Sequence, residues 1–236
     1  MTRGEGACLI CGKPLVYEHT MREMTCSICR RKFLGHASCE DGHYVCDECH
    51  QKKGIESVMA YCRESRSRNP IRILQEMMED PYIYMHGPEH HIMVGAALLT
   101  AYRNSGGKLD LDAALEEMTA RGSQCPGGAC GFWGCCGAAV STGMYLSIVT
   151  GATPLTGKTW GQVNEMTARA LAAISKWGGP RCCKRTSFTA AREAVIYTKE
   201  LLGVEMELPE TIRCSFSAEN RECLRKACPY YPGTPE

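Results

Sequence analysis

The chain has 236 residues, long for one compact domain and enough for one or two units, the larger with a sizeable core. Its 27 basic and 26 acidic side chains leave a formal charge of +1, which excludes a global field suited to a polyanion, so nucleic acid is not the expected partner. Seventeen cysteines call for disulfides, metal or cluster ligation, or thiol chemistry. The first residues reach Cys8 with no apolar run of the kind a secretory signal carries. A reducing cytoplasm is therefore the expected compartment, and there dense cysteine reads as metal binding.

Residues 1–54 read as a small zinc module. Four ligand pairs follow in order: Cys8 and Cys11, Cys26 and Cys29, Cys39 and His43, Cys46 and Cys49. A CxxC knuckle gives two soft ligands from one tight turn, and a structural zinc takes four, so eight ligands make two closed sites. Pairs three and four are only two residues apart. That favours an interleaved arrangement, pairs one and three on one ion and pairs two and four on the other. A sequential arrangement is the alternative, and His36 or His50 could stand in for His43. Short aromatic and β-branched pieces, Leu15-Val16-Tyr17 and His43-Tyr44-Val45, suit small hairpins between the knuckles. Such a unit buries too little apolar surface to fold alone, so metal would supply the free energy, and its role would be scaffold or docking surface. The order Cys39, His43, Cys46, Cys49 in CEDGHYVCDEC resembles the second half of RING and PHD cross-brace fingers.

Residues 55–236 read as an all-α, cysteine-rich domain, making the protein mainly α. The pattern predicts helices at about 55–66, 70–79 with Asn69 as cap, 89–104, 110–121 with Asp110 as cap, 134–150, 160–177 with Thr159 as cap, 187–202 and 217–227. Segment 134–150 is small or apolar on nearly every face and belongs in the middle of the bundle. Residues 122–157 carry no charge, yet their glycines, serines, threonines and prolines make a poor membrane span, so no membrane is expected.

Nine of the remaining cysteines fall in three patches: Cys125, Cys130, Cys135 and Cys136; Cys182 and Cys183; Cys214, Cys223 and Cys228. Cys62 stands alone as a small core residue. Cys125-Pro126 and Cys228-Pro229 have the proline that often adjoins an iron–sulfur ligand, and the glycines around 127–137 let backbone approach a cluster. Iron–sulfur binding, in four-iron form, is the expectation for these nine, against buried thiols, zinc or a dithiol pair. Eight thiols would hold two clusters, while a cluster with three ligands would leave an iron open. Vicinal cysteines suit that, since consecutive helix positions point about 100° apart. Cys182 and Cys183, flanked by Arg181, Lys184 and Arg185, are also the candidate catalytic thiols, because cations lower a thiol pKa and receive anions. His86, Glu89, His90 and His91 form a further cluster of potential ligands or proton carriers.

CGFWGCCGAAVSTGMYLSIVTGATP, PEHHIMVGAALLTAYRNSGG and CSFSAENRECLRKACPYYP resemble an uncharacterised family of cysteine-rich proteins of anaerobic archaea and bacteria. The resemblance implies an oxygen-sensitive cofactor and, since some relatives are attached to methyltransferase domains, a protein partner in a redox or methyltransferase system. The chain has neither a glycine-rich strand-turn-helix for S-adenosylmethionine nor a CxxxCxxC run. The expected function is electron or sulfur transfer; the alternatives are a non-enzymatic zinc-dependent adaptor or metal-handling protein, and an accessory subunit of a methyltransferase.

Overall fold

The computed structural model describes residues 8–233. The chain opens with an antiparallel hairpin, β1 (Leu15–Thr25) and β2 (Lys32–Cys39), whose register shifts between Tyr17 and Arg22. An isolated parallel bridge pairs Cys26, just after β1, with Tyr44, beyond β2. Of the eleven residues of β1 only Met24 is buried. The hairpin therefore has almost no core of its own, and the knuckles at its ends must hold it.

Eight helices follow: α1 (Asp47–Glu64), α2 (Pro70–Met78), α3 (Glu89–Asn104), α4 (Leu111–Gly122), the short α5 (Ala129–Phe132), α6 (Gly137–Thr150), α7 (Lys158–Ser175) and α8 (Cys183–Leu202). Two of the three expected caps are in place; α7 instead begins at Lys158 with Gly157 before it, so Thr159 lies inside the helix. Asn69 accepts hydrogen bonds from the N–H groups of Ile71 and Arg72, and Asp110 accepts one from Ala113. Gly151 and Gly203 end α6 and α8 in the left-handed region, at φ 64° and 67°.

Helix α3 is the axis of the bundle. It is buried on almost every face and packs against α1, α2, α4, α6 and α8. Helix α6 lies beside it with small residues at the contact: the Gly95 N–H reaches Ser141 Oγ at 2.8 Å, and Gly143 lies against Thr167 of α7. Tyr145 closes the layer through Thr198 of α8, at 3.1 Å. No helix among the described residues is long and apolar enough to cross a membrane.

Four predicted boundaries differ, and one of them is the start of α8, at Cys183 rather than 187. Helix α1 begins at Asp47 rather than 55, so it carries Cys49 and His50 in its first turns and runs through Gly54 without a break. Helix α6 starts at Gly137, because the Gly134–Cys136 segment is an irregular turn. Segment 217–227 is not a helix; apart from a 3₁₀ turn at Arg225–Ala227 it is a chain of turns. There Asn220 Oδ1 accepts the Glu222 N–H at 2.9 Å and Arg225 sits at φ 52°, local side-chain bonding that competes with the helical ladder.

Candidate metal centres

The eight N-terminal ligands form two groups, Cys8, Cys11, Cys39 and His43, and Cys26, Cys29, Cys46 and Cys49, in each of which the ligand atoms all lie within 4.8 Å of one another. The pairs interleave. Two sulfurs about 2.3 Å from one ion at the tetrahedral angle stand about 3.8 Å apart. The Cys11–Cys39 and Cys29–Cys46 sulfurs are 3.7 and 3.8 Å apart, and Cys39 Sγ is 3.5 Å from His43 Nδ1. Each group can thus hold one tetrahedral ion with little rearrangement.

The knuckles are built alike. Gly12 and Arg30, each just after the second cysteine of a pair, take positive φ, 77° and 63°, which turns the chain back towards the strand. Backbone N–H groups meet the sulfurs: Ile10 reaches Cys8 and Cys46 reaches Cys26, both at 3.4 Å. Against burial, N–H donors from Cys46, Cys29 and Ile28 bring the Cys26 thiol down to about 6, favouring the thiolate that an ion needs. His36 and His50 stand elsewhere. His36 stacks on Phe132 at 4.0 Å, and His50 Nδ1 lies 3.4 Å from Glu89 Oε2.

The later cysteines divide between two places. Cys182, Cys214, Cys223 and Cys228 line one small apolar pocket with Phe188, Phe216 and Tyr230. The N–H of Arg185 and the Asn220 amide each reach Cys182 Sγ at 3.4 Å, and the Arg225 N–H reaches Cys223 Sγ at 3.4 Å. Cys125, Cys130, Cys135 and Cys136 gather around α5 close enough for their charges to interact, and Cys183 joins them through Cys136. The vicinal pair at the start of α8 is split: Cys182 faces the first group and Cys183 the second. Among the described residues neither later group has three ligand atoms within the 4.8 Å that marks the N-terminal sets, so their spacing is too wide for a single tetrahedral ion.

Burial governs these thiols. It pushes Cys125 and Cys214 up to about 11 and Cys183 up to about 12, with neighbouring thiols adding to it. Arg181 lowers Cys183, but by less than burial raises it. The other two flanking cations are engaged in structure. Lys184 Nζ donates to the Tyr84 carbonyl at 2.8 Å and meets His90 Nε2 at 3.2 Å, while Arg185 donates to the Gly178 and Pro180 carbonyls. Free of metal, Cys183 is therefore a protonated thiol rather than an activated nucleophile. Cys62 is fully buried beside Met77, a core residue as expected.

The histidine run does not converge. His91 Nδ1 donates to the Cys125 carbonyl at 3.0 Å, His86 Nε2 lies 3.1 Å from Glu222, and His90 is enclosed with Glu89 and Lys184. His86 and His91 instead line a cleft of about 360 Å³ between the hairpin and the helices, together with Tyr17, Arg181, Cys130 and Cys183. Sequence reasoning marked His86, Arg181 and Cys183 singly. It missed the cleft, since Tyr17 and Arg181 lie far apart in the chain yet meet with the guanidinium 5.0 Å from the ring centroid.

The fold and these centres define a mainly helical, cysteine-rich protein with two tetrahedral ligand sets at its N-terminus that can hold metal ions. Residues 58–231 match the family model DUF5714, described as a family of unknown function, and the chain belongs to that family. The matched span contains every cysteine from Cys62 to Cys228 and begins after the two N-terminal sets. Comparison with curated proteins and with solved structures gave no match.

Proposed function

We propose that the protein is a redox metalloprotein of two units, a hairpin module (1–54) held by two zinc ions and a helical unit (55–236) that holds iron–sulfur clusters on its later cysteines. Zinc suits the N-terminal sets because it is redox-inert and takes closed thiolate and imidazole tetrahedra. Three features support clusters on the later groups: all-thiol donor sets, a spacing wider than one ion spans, and N–H groups aimed at the sulfurs of Cys182 and Cys223. The single observation that carries the reading is the split of the vicinal pair, which gives each group a thiol from the first turn of α8.

A cluster in either place would supply one-electron chemistry. The chain's own contribution differs between the two. Around Cys182, Phe188, Phe216 and Tyr230 exclude water, and the buried Lys184 Nζ lies 5.0 Å from the Phe216 ring. Around Cys130 and Cys183 the wall is open to the cleft, so that group is the one a substrate or an electron partner reaches. We take the protein to act in electron or sulfur transfer with a protein partner, away from nucleic acid and membrane, in a reducing cytoplasm.

The test is oxygen-free purification followed by metal and acid-labile sulfide analysis and electron paramagnetic resonance of the reduced protein. Two zinc per chain with stoichiometric iron and sulfide is expected. Zinc without sulfide would refute the cluster reading and leave a zinc-dependent adaptor.

A further inference from the structure

Arg181 is the only one of three consecutive-region cations, Arg181, Lys184 and Arg185, whose donors are not used within the described residues: it has no hydrogen bond and no ion pair there, only the Tyr17 ring. Glu222, its nearest acidic neighbour in charge, is engaged by His86, and His86 with Arg181 holds that carboxyl below its usual range. A guanidinium presents a planar fork of donors matched to carboxylates and oxyanions. Here the fork lines a cleft rather than bulk solvent.

His86 supplies the second polar group. Its side chain is only 7% exposed and lines the same cleft; Nε2 meets Glu222, and Nδ1 has no hydrogen-bond partner among the described residues. A buried nitrogen left in that state carries a desolvation cost that a donor or acceptor from a bound molecule would offset. The remaining walls are largely aromatic or apolar, from Tyr17 and Tyr44 on the hairpin side to Tyr84, Pro88 and Phe132 on the helical side, with His36, His50 and His91 also on the lining. About 360 Å³ lies within the range of small-molecule sites, and a bare inorganic ion would leave most of that apolar surface wet.

We propose that this cleft binds a small organic anion, an aromatic or apolar acid whose charged group sits on Arg181 beside His86 and whose body lies between the two tyrosine-bearing walls. The site stands on Arg181, His86 and the walls; it extends the proposed function, on which it rests only in that Cys130 and Cys183 would face the bound molecule. The zinc-held hairpin is then half of a binding site and not only a scaffold.

The probe is benzoate, titrated by calorimetry into full-length protein purified without oxygen, with benzamide and inorganic phosphate as comparisons. Benzoate is expected to saturate one site per chain, with benzamide and phosphate each weaker by at least about tenfold, the scale of one charge-assisted hydrogen bond. Arg181→Met should weaken benzoate by a similar factor, with metal and sulfide content unchanged, and Arg181→Lys should recover part of the loss. Absence of saturable benzoate binding, or benzamide binding as tightly as benzoate, overturns the proposal without recourse to any variant. Phosphate binding more tightly than benzoate overturns the organic-anion assignment. Sulfide analysis of the same samples keeps the two readings apart, since Arg181-dependent benzoate binding without sulfide sinks only the cluster.

Discussion

Cys182 and Cys183 are adjacent in the chain and face different pockets, so their substitutions should not be equivalent. Cys182→Ser leaves only Cys214, Cys223 and Cys228 and should remove that group, lowering iron and sulfide by about half on two clusters of equal size, whereas Cys183→Ser leaves four thiols around α5 and should lower them by much less. Equal loss of both clusters in either single variant would contradict the split. The split follows from the helix start, Cys182 being the extended cap of α8 and Cys183 its first helical residue, a boundary that the sequence placed four residues later. The protonated state of Cys183 was not legible: flanking cations are visible in sequence, but the burial that outweighs them depends on packing from residues far along the chain.

His90 gives a residue-scale prediction about pH. It is 1% exposed, with Glu89 Oε1 3.3 Å from Nδ1 and Lys184 Nζ 3.2 Å from Nε2; His86 and His50 are the other ionisable groups of this cluster. Burial first, and Lys184 second, bring its pKa from 6.5 down to about 4. Between those values the unfolded chain binds the proton and the folded chain does not, so stability is full above 6.5 and falls as pH drops towards 4. Glu89 has the same sign: burial raises its carboxyl, but His50 and His90 outweigh that and hold it well below the ordinary value. His90→Gln should flatten the fall in urea-unfolding stability across this window, at pH values where metal content is measured to be intact. An unchanged slope would show that other groups set it.

At the scale of elements, the start of α6 sets two effects against each other. Gly137 occupies the first turn, where alanine is intrinsically better than glycine by about 0.5–1 kcal/mol. A Cβ there, however, would come within 2.1–2.5 Å of the His91 ring, which is pinned by its bond to the Cys125 carbonyl. Overpacking typically costs about 1–3 kcal/mol, so Gly137→Ala should destabilise on balance, lowering Tm by a few degrees in calorimetry. A rise in Tm would mean the ring yields freely. Helix positions and caps were readable because Asn69-Pro70 and Asp110 are local signals. Segment 217–227 misled for the opposite reason: helix-forming residues are overruled by Asn220, whose amide is committed to Cys182 and to the Glu222 N–H. The early start of α1 was hidden by cysteines that read as loop ligands, though Cys49 sits on a helical turn.

For the whole molecule, the question is how the hairpin stays folded against the bundle. The interleaved ligand pairs were legible from spacing alone, whereas the meeting of hairpin and helices depends on contacts such as His36 on Phe132 and Tyr17 under Arg181. These are few, and β1 buries one residue of eleven, so apolar burial cannot hold the unit. Structural metal binding is worth about 10–16 kcal/mol in finger peptides, more than enough to fold a piece of this size. The helical bundle has the reverse balance, its axis α3 buried along nearly its whole length. Removing the N-terminal ions with a strong chelator should therefore abolish amide-exchange protection in residues 15–39 while α3 and the buried part of α6 keep theirs, as read by exchange mass spectrometry. Because Tyr17 and Tyr44 would leave with the hairpin, the same treatment should also abolish benzoate binding in the cleft. Protection that persists through 15–39 after the ions are gone would show that the interface, and not the metal, holds the two parts together.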